Sequence, residues 1–291
     1  MAVRVSIVIP AYNNARFIEA TLDSVLAQTF TDMEVIVADH SSVDGTESLA
    51  RTYESDPRVR VITTPAGGGA VRNWDAVSQE ATGEYLKLVC GDDLIHPEIV
   101  ARQVAALDAE PTATLVASRR SLIDANGAEI MGGRGLPGMS GLIQGVDAIR
   151  ASVRAGSNVF GEPACVMFRR EVLADVGWWD NTNPYLIDQA TYARVLARGD
   201  LVALPDVLAS FRLSSSQWSV ELMRSQFTQA AAFHKLMRAE HATTISAADV
   251  VVGDTRARLV ARLRRLAYRV FRKRMGQSET ASAVEKSVRE D

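Results

Sequence analysis

Hydrophobic and polar positions recur with two different periods along the first 120 residues. Val3 to Ile9 is a nearly unbroken β-rich apolar run, the pattern of a strand covered on both faces, and Ile18, Leu22, Val25 and Leu26 follow on one side of a helix. Glu34 to Ala38 predicts a second strand. Asp44 and Glu47, spaced as an N-cap and its reciprocal N3 partner, then open a helix through Tyr53. A third strand is expected at Val59 to Thr63, and a helix near Ala70 to Ala81 after Pro65 and the Gly67-Gly68-Gly69 turn. Tyr85 to Val89 gives a fourth strand ending at Gly91-Asp92-Asp93, Pro97 opens another helix, and Thr114 to Ser118 adds a fifth strand. Repeated β-α units imply a parallel sheet with right-handed crossovers. Residues 119 to 160 show no period and read as irregular, and a further helix is expected from Asp188 to near Arg198.

Composition narrows the classes that such a sheet can serve. With 291 residues, 47% hydrophobic and 23% charged, the chain can bury one large core or two modest ones. A formal net charge of -3 gives no reason to expect a nucleic-acid partner. Cys90 and Cys165 lie far apart in apolar stretches, which predicts reduced thiols and a cytoplasmic setting. No apolar run approaches the roughly 20 residues of a membrane span, and the start is too short for a signal-peptide core. The four histidines lack zinc-ligand spacing and are expected at the surface or in packing. The triple glycine lacks the G-x-G-x-x-G spacing of a dinucleotide fingerprint.

In parallel α/β sheets ligands sit beyond the carboxyl ends of the strands. Tyr12 and Asn13 follow strand one, Asp39 follows strand two, and Asp92 with Asp93 follows strand four. Three carboxylates on one edge need a compensating cation or donors, and a hard ion such as magnesium or manganese takes carboxylate and diphosphate oxygen together. That combination suits a nucleoside diphosphate. Asp39, Asp92 and Asp93 also admit the plain reading of turn and cap residues, and Tyr12 that of a packing residue. Arg72, just past a glycine turn at a helix start, favours an anion.

The blocks Ser6-Ile7-Val8-Ile9-Pro10-Ala11-Tyr12-Asn13, Val37-Ala38-Asp39-His40-Ser41-Ser42-Val43-Asp44-Gly45-Thr46, Ala70-Val71-Arg72-Asn73 and Gly83-Glu84-Tyr85 leading to Gly91-Asp92-Asp93 resemble, in order and spacing, the family 2 inverting glycosyltransferases of GT-A fold. The resemblance is dense over residues 3 to 110 and thinner to 220. It implies an α/β, Rossmann-like, mostly parallel central sheet flanked by helices, with a C-terminal helical extension. Implied too is transfer of a sugar from a nucleoside-diphosphate sugar to a glycan or lipid-linked hydroxyl, assisted by Mn2+ or Mg2+. On matching positions, Pro10, Ala11, Tyr12, Asn13 and Asp39 would line the nucleobase side and Arg72 would meet the phosphates. Asp92 would contact ribose or metal, and Asp93 would ligate the metal. His40 and Gly91 stand where the family often carries acids, leaving Asp92-Asp93 as the minimal pair.

Residues 1–118 are expected to hold the nucleotide sugar and 119–220 the acceptor, followed by helices over 221–276 and an unstructured tail at 277–291. Gly161-Glu162-Pro163, Val166 to Arg170 and Val176 to Asp180 resemble the family's acceptor segment. An inverting transfer needs a carboxylate aimed at the acceptor hydroxyl; Asp188 is the choice, with Asp180 and Glu162 competing and an N-cap role as the plain alternative. Phe211-Arg212-Leu213-Ser214 resembles a family loop that usually carries a histidine at the last position, and Arg212 is the phosphate candidate there. Over 254–274, Leu259, Leu263, Leu266 and Val270 share one helical side and basic residues crowd the rest, fitting either an anionic membrane surface or a helix packed on the catalytic domain. Two further readings compete. A sugar-phosphate nucleotidylyltransferase wants a glycine-rich basic loop after strand one, where Pro10-Ala11-Tyr12-Asn13 stands; a nonenzymatic nucleotide-sugar-binding or membrane scaffold would explain the missing acids.

Overall fold

The computed structural model describes residues 3–213 and 225–271, with side chains as far as Arg264; Ser214, most of the basic tail after Arg264 and the expected 277–291 tail lie outside the described residues or side chains. The first half alternates β1 (Val5–Ala11), α1 (Ile18–Leu26), β2 (Met33–Asp39), α2 (Thr46–Thr52), β3 (Val59–Thr63), α3 (Gly69–Gln79), β4 (Tyr85–Leu88), β5 (Leu94–Ile95) and α4 (Ile99–Ala109). β6 (Ala113–Ile123), β7 (Glu129–Arg134), β8 (Gly141–Ile143) and α5 (Gly145–Ala155) follow. The second half continues with β9 (Val166–Arg169), α6 (Arg170–Asp175), α7 (Ile187–Leu196), β10 (Asp200–Arg212), α8 (Gln226–Glu240) and α9 (Ala247–Phe271).

The strands form one sheet in the order β3-β2-β1-β4-β9-β6-β10-β5, with β7 on β6 and β8 on β10. β3, β2, β1 and β4 are mutually parallel, as the β-α repeats require. Beyond them β9 enters antiparallel to both β4 and β6, so the acceptor-side strands join the same sheet in mixed sense. Every residue of β1 is buried, and each fully buried aliphatic there contributes about 1.5–3 kcal/mol. Its one polar side chain, Ser6, donates to Glu34 and accepts the N–H groups of Thr82 and Gly83. Gly83 passes so close to β1 that a Cβ there would lie 2.6 Å from the Ser6 nitrogen.

Three expectations are corrected. Residues 119 to 160 are not irregular: β6 runs on through Arg119-Arg120-Ser121 to Ile123, and β7, β8 and α5 fill the rest. The polar triplet hid the strand because its side chains reach protein partners, Arg119 the Gly133 carbonyl and Ser121 Glu129, instead of facing water. The reciprocal Asp44–Glu47 cap does not form either. Gly45, left-handed at φ 92°, is the N-cap of α2; Asp44 accepts from the Thr46 N–H, while Glu47 turns to Arg51 and the Thr63 hydroxyl. On α9, finally, the side turned to the protein is not the leucine stripe. Gly253, Ala257 and Ala261 are buried, whereas Leu259 and Leu263 are each 55% exposed.

Candidate functional site

The carboxyl ends of β1, β2 and β4 meet at one edge, because Ala11 pairs with Asp39 and Val89 donates to the Val8 carbonyl. The loop after β1 is held open there by three side chains: Asn13 N–H donates to Ser42, Asn14 N–H to Thr46 and Ala15 N–H to Asp44. Asn13, at φ 51°, returns a carbonyl oxygen to the Val43 N–H. Pro10 and Ala11 are buried at the floor of the edge. Tyr12 is 59% exposed, with its ring 6.1 Å from that of His40, so it is presented to the edge instead of packed into the core.

Asp39 is fully buried. Its Oδ2 accepts the Ser42 N–H, and its Oδ1 has no hydrogen-bond partner among the described residues. A buried carboxylate oxygen without a donor is costly unless a ligand N–H supplies one. Asn73, also buried, donates to the carbonyls of Ala38 and Ala11 and accepts from Thr64, pinning the first turn of α3 across both strands. His40 reaches Thr64 and the Gly67 carbonyl, which makes it part of this scaffold. Neither Asn73 nor Thr64 was singled out from sequence, although Asn73 adjoins Arg72 in the quoted block.

Arg72 is exposed in the first turn of α3, donating to the Ala66 carbonyl. The three glycines before it all have positive φ, between 68° and 87°, and a Cβ on Gly68 would lie 2.6 Å from Arg72 Cδ. Only glycine permits both that backbone and that close approach. Arg212 is not placed this way. Its guanidinium is buried, lies over the Phe17 ring, and donates to the carbonyls of Asp92, Asp124 and Ala125. Here this side chain buttresses the loop beneath the edge.

Asp92 and Asp93 differ in exposure. Asp92 is half-buried, whereas Asp93 is fully buried, accepting the Arg212 N–H on Oδ1, with no hydrogen-bond partner for Oδ2 among the described residues. Burial, and then the Asp92 charge, push the Asp93 carboxyl well above its ordinary range. Gly91 packs on Asn14, and a Cβ there would fall 2.8 Å from Asn14 Oδ1, so a larger residue would have to displace that side chain. After burial, the fields of Asp93, Asp92, Asp188 and Glu162 all act to raise the Cys90 thiol, so this residue feels both the donor-side and the acceptor-side acids. Cys90 and Cys165 are both free thiols.

Asp188 stands in the first turn of α7, with Oδ2 accepting from Asn158 and Oδ1 from the Gln189 N–H. Burial raises it to about 6, against the pull of those two hydrogen bonds. The N-cap of α7 is Leu186. Glu162 is ion-paired with Arg120, while Asp180 accepts the Thr182 N–H and lies 3.8 Å from Arg194. Both competitors are thus neutralised or turned to their own loop. Asn158, which also donates to the Gly161 carbonyl, went unnoticed in the sequence because a lone asparagine carries no periodic signal.

Among the described residues no three His, Cys, Asp or Glu side chains come together to hold a metal ion. The donor set nonetheless suits a hard cation in part. Two adjacent carboxylates, one with a buried oxygen that has no donor among the described residues, offer hard oxygen ligands, and diphosphate and water oxygens would complete the shell.

Comparison with known proteins places these features in a family. The model of Glycosyl transferase family 2 matches residues 6–177. Chondroitin synthase of Pasteurella multocida (strain Pm70) is 35% identical over 137 residues, 47% of this chain, and the match spans 14% of that much longer protein. The putative glycosyltransferase EpsE of Bacillus subtilis is 29% identical over 136 residues, covering 46% of this chain and 48% of EpsE. Among solved structures, S. aureus TarS 1-349 in complex with UDP superposes with a TM-score of 0.61 at 18% identity, over 79% of this chain and 65% of that one. The mannosyltransferase PcManGT from Pyrobaculum calidifontis, in complex with GDP-Man and Mn2+, gives 0.62 at 20% identity over 99% and 80%.

Proposed function

Because the chain belongs to Glycosyl transferase family 2, we propose that it transfers a sugar from a nucleoside-diphosphate sugar to an acceptor hydroxyl, with inversion. The observation that carries this reading is the placement of Asp39 and of Asp92-Asp93 just past the carboxyl ends of β2 and β4, on either side of β1, with the fields of Asp92, Asp93, Glu162 and Asp188 all felt at Cys90. Asp39 Oδ1 accepts from the nucleobase and Tyr12 offers the base an aromatic face. Arg72, with the N–H groups at the start of α3, meets the diphosphate. Asp92, the more exposed of the pair, and Asp93 behind it hold a Mn2+ or Mg2+ ion, which supplies charge compensation for the departing diphosphate. Asp188 takes the acceptor proton. A carboxylate raised to about 6 is a better base than one at the ordinary value, yet is still ionised at neutral pH. The acceptor is proposed to be a glycan or lipid-linked hydroxyl, bound on the side built from residues 158–162 and α7.

The test is transfer or hydrolysis of UDP- and GDP-sugars with manganese, beside a thermal-shift series on the same donors. The reading expects a donor-dependent rise in Tm, turnover abolished by chelator, and a loss of about 10²–10³-fold in Asp92→Asn. Donor binding without turnover would favour a nonenzymatic carrier, and absence of both would remove the reading.

A further inference from the structure

The C-terminal helix α9 has two separate faces. One is a stripe of small residues, Gly253, Ala257 and Ala261, buried against α5 so tightly that a Cβ on Gly156 would lie 2.5 Å from both the Ala257 nitrogen and the Gly253 carbonyl oxygen. The other carries large apolar side chains into solvent: Val251 is 65% exposed, and Leu259 and Leu263, one turn apart, are each 55% exposed. In the sequence Leu266 and Val270 continue that stripe at helical spacing.

Charge decides what such a face suits. Between Thr255 and Arg274 the sequence places nine arginines and lysines and no acid, in a chain whose net charge is -3. Arg256, Arg258 and Arg262 are exposed beside the leucines. Arg256 donates to the Arg154 carbonyl, Arg258 lies over the Phe227 ring and Arg264 over the Tyr185 ring; none of the three meets a carboxylate among the described residues. The acids of α9 are used elsewhere, Asp249 by Arg150 and Arg154, and Asp254 by His234. A second copy of the chain docked on this face would set arginine against arginine. An anionic bilayer surface instead offers acyl boundary for the leucines and phosphates for the cations.

We propose that the exposed Leu259–Leu263 face of α9, flanked by Arg256, Arg258 and Arg262, docks the protein on an anionic phospholipid surface. The helix is tied to the acceptor side of the site: it packs on Gly156, two residues before Asn158, whose amide holds Asp188. A lipid-linked acceptor follows only if the glycosyltransferase reading holds; the docking does not depend on it.

Flotation of the full chain with phosphatidylcholine vesicles, alone or with about 30% phosphatidylglycerol, is the test. The protein should float with the anionic vesicles only and be released by high salt. Leu259→Gln/Leu263→Gln should weaken binding at least about tenfold, and Arg256→Gln/Arg262→Gln about 25-fold. The leucine pair is exposed, so its Tm should be unchanged; the arginine pair loses only the Arg256 bond to the Arg154 carbonyl and should shift Tm little, and donor thermal shifts on the same samples report separately on the catalytic reading. Equal binding to neutral vesicles, or none at all, would overturn the proposal. So would a concentration-dependent dimer that the leucine pair abolishes without any vesicle binding.

Discussion

Asp188 is poised between two hydrogen bonds and a low-dielectric surround, and the balance sets when it can act. Burial raises it to about 6, while Gln189 and Asn158 favour its ionised form. If Asp188 is the base, kcat/KM should fall tenfold per pH unit below about 6 and level off above it. Asp188→Asn should lose about 10²–10⁴-fold. Asn158→Ala removes a stabilising donor, so its acidic limb should move to higher pH with donor affinity unchanged. A profile that keeps its acidic limb in Asp188→Asn would assign the proton to another group. At this scale the sequence was informative wherever residue type and position coincide. Asp39, Asp92 and Tyr12 reach the edge that their places after the strands imply. For Arg212 the motif context cannot reveal that three backbone carbonyls lie within reach of its guanidinium.

At the scale of elements, periodicity identifies a helix but not which face its neighbours take. The first four strands were legible because each is a short apolar run closed by turn residues. β6 beyond Ser118 was not, since Arg119 and Arg120 find their partners on β7 and at Glu162, far along the chain. In α9, glycine and alanine pack and leucine faces out, the reverse of what hydrophobicity alone suggests, because the backbones of α9 and the end of α5 approach too closely for larger side chains between them. The helix is also latched by charge. Asp249, fully buried at its start, accepts from the Ser246 N–H and hydroxyl and pairs with Arg150 and Arg154. Those donors, against the cost of burial, hold the carboxyl far below its ordinary range. The folded state therefore gains stability above the unfolded carboxylate pKa near 3.9 and loses it as pH falls through the depressed folded value. Asp249→Asn should cost about 1–3 kcal/mol at pH 7, the arginines being partly exposed. The gap between variant and wild type in urea unfolding should narrow at pH 3. A gap independent of pH would locate the cost in packing instead of charge.

Across the whole molecule, one strand joins the two halves of the sheet. β4 pairs with β1 on the donor side and with β9 on the acceptor side, and it ends three residues before Gly91. At its centre Lys87 is fully buried, donating to Gln103 of α4 and to the Ala164 and Val166 carbonyls that follow Glu162. Three acceptors match the three N–H groups of an ammonium, yet burial lowers the pKa to about 7. The unfolded chain keeps this proton up to about 10, so over the window from 7 to 10 the folded state binds fewer protons, and stability should rise with pH. Wild type is expected to gain roughly 1–3 kcal/mol in urea unfolding between pH 7 and pH 9 that Lys87→Met does not gain. The substitution also leaves the turn behind Glu162 without its donor, which should lower kcat more than it changes donor KM. Parallel pH dependence in the two proteins would mean that the carbonyl cage keeps Lys87 charged, with its link between the halves independent of protonation.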